Sequence, residues 1–550
     1  MSKKKRLDIW SVVTIAIFGL YILFMFYPLF SLFKSSVMDP ESGHFTLAYF
    51  QKFFSKKYYL RTIGNSFKVT GCVTIMVVLI ATPLAYVMTT IKIKGAEWIR
   101  ILILISSMSA PFIGAYSWIL MLGRNGSITR FFKNVFGIQT PDIYGFTGIV
   151  IVLTLQLVPL VFMYVSGALK NMDNSLLEAA ESMNCTGIKK MMKVTIPLIL
   201  PTILAGAILV FMRAIADFGT PMLIGEGYKT IPVLVYTEFM GENGGDSGFA
   251  AAISILVIIL TTTAFLIQKY ISKKLAYSTS ALNPIQAKKI TGWKNIAAHA
   301  FVYLYLLIAL LPQICVIETS FRNTSGVVFK EGYSLESYRS AFSKMGPAIK
   351  NTLILAAIAL VVIVFISVLI AYITVRRPNP ITGGLDIATM FPYIVPGSVL
   401  GISLISAFNK KPLILTGTAV ILIVAFTIKR MPYTIRSSAA ILRQIGISVE
   451  EASLSLGASN LKTFFKITLP MMSAGVISGA IMSWITIITE LSSSILLYTG
   501  KTKTMTIAIY TEVIRGNYGI AASLSTILTV ITILSIFVMF KITGSKEISM

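Results

Sequence analysis

Four carboxylates stand out for where they fall in this chain. Asp217 and Glu490 lie at the ends of long apolar runs, Glu178 and Glu451 lie between such runs, and each pair is 273 positions apart (490 − 217 and 451 − 178). A carboxylate inside an apolar run pairs with a cation, accepts a hydrogen bond from a neighbouring helix or serves a substrate pathway, because an isolated charge in hydrocarbon is costly. Arg213, four residues before Asp217, offers an i,i+4 ion pair. Glu490 has Thr486 at that position, which leaves two readings open: a pathway carboxylate attracting a cation or metal complex near the outer end, or an interhelical hydrogen bond.

Other chemistry has little to stand on. Cys72, Cys185 and Cys315 are scattered, as are His44 and His299, so neither a disulfide framework nor a metal-ligand spacing is present. No Ser/His/Asp set, phosphate loop or dinucleotide fingerprint appears. No catalytic, cofactor-binding or metal residues are therefore expected. The net charge of +26 is spread over many loops, which disfavours nucleic acid and fits anionic lipid headgroups.

The elements that must hold these residues are membrane helices. Hydrophobic residues make up 55% of 550 positions and charged residues 13%, and the mean hydropathy is +0.80. That is more apolar surface than a water-soluble core can hide. Runs of about 20 apolar residues, the length that crosses a bilayer, begin near Ile9, Ser66, Ile99, Gly145, Leu198 and Ala250, and again near Ala298, Thr352, Ile387, Leu413, Met472 and Ala521. The expected fold class is an all-α polytopic membrane protein with about 12 spans. Lys68 and Arg213 are the cations placed within spans. Lys3, Lys4, Lys5 and Arg6 before the first span put the amino terminus in the cytoplasm. Outside, Glu226, Glu238, Glu242 and Asp246 make one loop acidic, while Lys52, Lys56, Lys57 and Arg61 make another segment basic. Either is a docking surface for a partner or plain solvated charge.

The chain is a duplication. Asn65-Ser66-Phe67 through Ala85-Tyr86 realigns with Asn351-Thr352-Leu353 through Ala371-Tyr372, and Pro159 and Pro197 match Pro432 and Pro470. The expected organisation is a first half of six spans (1–270), a cytoplasmic basic linker (271–297) and a second half (298–550), the two repeats running parallel. Each half has one long cytoplasmic loop, at 171–197 and 444–470. Ser175 with Glu178, and Ser448 with Glu451, fit a capping box. Asn184 and Gly457 suit the left-handed stop. Each loop thus holds a helix of about two turns, too short to be stable alone. Leu177, Ala180 and Met183 share one face, as do Ala452, Leu454 and Leu456 less regularly, while Ala179, Ala180 and Ala452 are small enough for another surface to approach. The helices either dock on a partner or rest on the rest of the chain, with the glutamates as caps.

At these residues the chain resembles a family. Glu178-Ala179-Ala180 with Ile196-Pro197, and Glu451-Ala452-Ser453 with Gly457, Ile467, Leu469 and Pro470, resemble the EAA loops of permease subunits in binding-protein-dependent (type I) ABC importers. Ser453 replaces the family's last alanine and Asn184 its glycine. The resemblance implies that each loop helix is a coupling helix docked on a cytoplasmic ATPase, with Glu178, Ala179, Ala180, Asn184, Glu451, Ala452, Ser453 and Gly457 as coupling residues. ATP and magnesium would then be held by two ATPase copies rather than by this chain, and one extracellular or periplasmic binding protein would deliver the solute at a prokaryotic cell membrane. Ala216-Asp217-Phe218-Gly219-Thr220-Pro221 is similar to ferric iron permeases, with thiamine, 2-aminoethylphosphonate and polyamine permeases close by. Asp217 and Glu490 are candidate pathway residues. An ion-coupled secondary carrier is the remoter alternative.

Overall fold

The fold is described from a computed structural model of the chain, which covers residues 9–39, 42–108, 111–138, 142–241, 246–274, 283 and 285–543. The basic residues Lys3 to Arg6, Glu242 and part of the linker lie outside the described residues.

Long apolar segments form helices because lipid offers no partner for backbone polar groups, and only a helix satisfies them within one segment. Among the described residues, eight helices are long and apolar enough to cross a bilayer, and two bent pairs bring the number to ten. In the first half these are α1 (Ile9–Val37), α2 (Lys57–Thr90), a pair Ala96–Ser107 and Phe112–Phe136 bent by 94°, and α3 (Phe146–Lys170). After the loop helix α4 (Asn174–Ser182) come α5 (Ile196–Ile215), the short α6 (Gly219–Ile224) and α7 (Ser247–Lys274). The second half has α8 (Trp293–Phe321), α9 (Glu336–Arg376), α10 (Gly397–Phe408), α11 (Ala419–Gln444), the loop helix α12 (Ile447–Ser455), α13 (Ser473–Ile488) and α14 (Tyr518–Thr543).

Several boundaries differ from expectation. Helix α2 starts at Lys57 rather than Ser66 and α9 at Glu336 rather than Thr352, since polar amphipathic turns extend each helix beyond its apolar run. The span expected from Ile387 is broken into Pro380–Ala388, Phe391–Ile394 and α10, because Pro392 and Pro396 lack the donors that would carry a helix through. Helix α11 carries Lys429, Arg430, Arg436 and Arg443 and is therefore not among the apolar spans. The all-helical expectation also misses one antiparallel hairpin, Arg322–Ser325 with Val328–Tyr333, turning at Gly326.

Two compact units exist, and they do not follow chain order. One comprises Lys52–Leu234 and Leu256–Thr319. Its core is α2, α3 and α5, with Val73, Val77, Val158 and Val161 fully buried, and α8 contributes Ala298, Val302, Tyr305 and Ala309. The other comprises Met1–Gln51, Val235–Ile255 and Ser320–Met550. Here α9, α11, α13 and α14 pack together, and α1 lies with them: Trp10 sits 4.5 Å from the Tyr372 ring and 5.1 Å from Phe464, and the Ser31 and Ser35 hydroxyls meet that of Ser406 at 3.1 and 3.0 Å. The first span of each sequence half thus packs with helices of the other half.

The duplication is legible in side-chain detail. Asn65 Nδ2 donates to the Lys229 carbonyl at 3.0 Å and Ser66 Oγ accepts from Ile231 N at 2.9 Å. In the second half Asn351 Nδ2 donates to the Lys503 carbonyl at 3.0 Å and Thr352 Oγ1 accepts from Met505 N at 2.6 Å. The repeated Asn-Ser and Asn-Thr pairs therefore pin equivalent loops. Just before Pro197 and Pro470, the helix widens into π turns at Met191–Thr195 and Phe464–Thr468, where Ile196 N and Leu469 N reach back five residues to the Met191 and Phe464 carbonyls. A wider turn absorbs a proline that cannot donate and whose ring crowds the preceding carbonyls.

Candidate functional site

The loop helices form as expected at their ends and differently at their starts. Asn184 has φ 59° and Gly457 φ 86°. Around them, Cys185 N reaches the Ala180 carbonyl at 2.9 Å and Asn184 N that of Glu181 at 2.9 Å; Ala458 N reaches Ser453 at 3.2 Å and Gly457 N reaches Leu454 at 2.9 Å. Both stops are thus Schellman motifs, in which a left-handed residue lets two backbone donors close the last turn. The expected capping boxes are absent. Helix α4 is capped by Asp173, whose carboxylate accepts from Ser175 N at 2.9 Å, and Glu178 accepts from the Asn174 side chain at 2.6 Å. Helix α12 starts from Gly446 without a side-chain cap. Both helices begin two residues earlier than the serine pattern indicates, which places Ser175 and Ser448 inside the first turn.

Burial sorts the residues of each loop. Leu177 and Ala180 face inward, and so do their repeat mates Glu450 and Ser453. Glu178, Ala179, Asn184, Glu451, Ala452 and Gly457 are exposed. Ala180 and Ser453 are consequently packing residues, Ser453 through a 2.9 Å contact with the Thr463 hydroxyl, and they do not form an open surface. Met183 does not join Leu177 and Ala180: it is 77% exposed, and Leu456 is 89% exposed, since each stands at the turn where the helix ends. Sequence reasoning missed what fastens α12. Glu450 accepts from Arg376 Nε at 2.8 Å and from the Tyr372 hydroxyl at 3.3 Å, and Arg376 also donates to the Ile445 carbonyl at 2.8 Å. In α4, Glu181 pairs with Lys190 and, at 3.7 Å, with Lys288 of the linker. The ammonium of Lys190 holds the Glu181 carboxyl below its usual value. The linker also meets this loop through its backbone, Asn174 N donating to the Asn283 carbonyl at 2.8 Å.

Glu490 is not a lone carboxylate. It is buried, with Oε1 accepting from Lys429 Nζ at 2.8 Å, Ser492 Oγ at 2.7 Å and Ser493 N at 3.1 Å, and Oε2 accepting from Arg430. The interhelical reading therefore describes this residue, and the absence of a partner one turn away was no guide, because the cations come from α11. Lys429-Arg430 within an expected apolar span was the available signal. Asp217 mirrors one of these contacts: its Oδ2 accepts from Thr220 N at 3.0 Å, as Glu490 does from Ser493 N. Both carboxylates thus cap the turn that follows their span. A Cβ at Gly397 would collide with Lys429 Nζ and Ser492 Oγ, so the cluster fills the space beside α10.

Two helical repeats, each with a helix-and-stop loop in the same place, define a membrane permease component. The chain belongs to the family of binding-protein-dependent transport system inner membrane components, which matches residues 2–277 and 363–543. It is a multi-pass permease subunit of an ABC importer, a transport component that works with an ATPase and a substrate-binding protein. The ferric transport system permease protein FbpB of Actinobacillus pleuropneumoniae is 28% identical over 545 residues, 97% of this chain and 78% of that protein. A putative ferric transport system permease protein, FbpB 1 of Haemophilus influenzae, is 29% identical over 497 residues, 88% of this chain and 77% of that one. The spermidine/putrescine permease PotB of Haemophilus influenzae is 26% identical over 257 residues, 45% of this chain and 89% of PotB.

Proposed function

We propose that this chain is both permease halves of a ferric iron importer. One chain stands over two ATPase copies and beneath one extracellular or periplasmic binding protein, with its amino terminus in the cytoplasm. The observation that carries the coupling role is the matched pair of short helices, each with its glutamate-alanine pair exposed, its inner face anchored and its end fixed by a left-handed residue. Glu178, Ala179, Glu451 and Ala452 contact the ATPases, Asn184 and Gly457 set the stops, and Ala180 and Ser453 hold the helices to the permease. ATP, with magnesium, is bound and hydrolysed by the ATPases. Their closure pushes the two helices, and the halves alternate between inward-open and outward-open states.

Ferric iron is favoured because three of four relatives that align over more than four fifths of the chain carry that name and the fourth names no solute, whereas the polyamine relative aligns with about half of it. Asp217 and Glu490 are candidate pathway residues, Glu490 being held by its cations rather than free to coordinate the solute. The test is co-purification of the ATPase with wild type and with Glu178→Ala/Glu451→Ala, together with iron uptake. The double variant should fold, lose the ATPase and lose uptake. Full uptake with an intact ATPase complex would falsify the coupling assignment, and uptake of a polyamine but not of iron would replace the substrate.

A further inference from the structure

We propose that Arg61 and Lys68 form an oxyanion-binding cleft that takes a phosphate group, presented by an anionic lipid headgroup or free in solution. Arg61, Gly64, Asn65 and Lys68 recur at helical spacing on one face of α2 and line a cleft of about 420 Å³ together with Phe146 and Tyr228. Among the described residues neither Arg61 nor Lys68 makes an ion pair or a hydrogen bond, so both cations are available. The wall is fixed. The Phe146 and Tyr228 rings lie 5.5 Å apart, Tyr228 donates to the Asn65 carbonyl at 3.4 Å, and the Asn65 amide is engaged by Lys229. Gly64 is the floor, and nothing lies within 4 Å of where its Cβ would stand.

The site is not a requirement of the repeat. In the second half the positions of Arg61 and Lys68 are held by Pro347 and Ile354, at the 286-residue offset that relates Asn65 to Asn351. Depth argues for phosphate. At its far end α2 meets the linker beside α4, Lys288 N donating to the Thr90 carbonyl at 2.9 Å, and that end is cytoplasmic on the reading proposed above. At 1.5 Å per residue, Lys68 stands about 33 Å and Arg61 about 44 Å up the helix from Thr90, so Lys68, which the sequence places within the span, lies at the outer edge of a hydrocarbon core of about 30 Å and Arg61 lies beyond it. The two cations therefore span the outer headgroup layer, where a guanidinium fork and an ammonium match phosphate oxygens.

The experiment uses the full chain in detergent. Retained phosphatidylglycerol is counted against phosphatidylcholine by native mass spectrometry, and inorganic phosphate is titrated calorimetrically in a second arm. Arg61→Gln/Lys68→Gln should lower binding about tenfold. Gly64→Leu fills the cleft while keeping both charges, and should do the same even if the double variant does not fold. Retention of phosphatidylglycerol assigns the site to lipid, and saturable phosphate binding without lipid assigns it to a soluble oxyanion. Equal binding by wild type and Gly64→Leu, or no binding of either probe, overturns the proposal. Neither measurement involves the ATPase, so this outcome is separable from failure of the importer reading.

Discussion

Arg376 and Glu450 form a buried ion pair, Nε to Oε1 at 2.8 Å, that ties the loop helix α12 to the end of α9. At the matching place in the loop helix α4 stands Leu177, also buried. At this position α12 is anchored by charge and α4 by apolar packing. Removing one member of a buried pair leaves the other uncompensated and costs about 3 kcal/mol or more, whereas replacing both by apolar groups is close to neutral. Arg376→Ala should therefore loosen α12, seen as faster amide exchange in 447–455 with 174–182 unchanged. Arg376→Met/Glu450→Leu should restore protection; failure to do so would show that the ion pair does more than anchor.

Glu490 neutralises two cations at once. Glu490→Gln should destabilise the chain by about 3 kcal/mol, read as a lower melting temperature in detergent. Adding Lys429→Met should recover part of the loss, because one uncompensated charge goes with it. No melting shift in Glu490→Gln would mean that the cluster is not structurally coupled.

The two helix stops carry different residues in the same conformation. Gly457→Ala places a Cβ in the left-handed region and should cost about 1 kcal/mol. Asn184→Gly should change stability by less than about 0.5 kcal/mol, since asparagine already tolerates that region. A large gain from Asn184→Gly in melting experiments would contradict this.

Acid should loosen the loop that holds α4. Glu181 has a folded pKa below its unfolded one, owing first to the hydrogen bond from Lys190, so its contribution is present above the unfolded value of about 4.3 and is lost as pH falls through the lowered folded value. Protection of the amides in 174–182, taken relative to their intrinsic exchange rate at each pH, should fall as pH drops below about 4, and Glu181→Gln should abolish that pH response. A response that survives the substitution assigns it to another group.

The membrane class, the duplication and both helix stops are legible in the residues alone. Apolar length, residue identity at fixed offsets and left-handed preference are local properties. Pro197 likewise announced the start of α5, although not the π turn before it, whereas Pro470 stands in a short turn ending at Met471, separated from α13 by a bend of 68°. Other features depend on partners far along the chain. Glu490 finds its cations about 60 residues upstream on α11. Glu450, unremarkable in sequence, meets Arg376, 74 residues away. The packing of α1 with the helices of the second half, and of α8 with those of the first, follows from which apolar faces fit one another. Hydropathy records how greasy a face is, and packing depends on its shape.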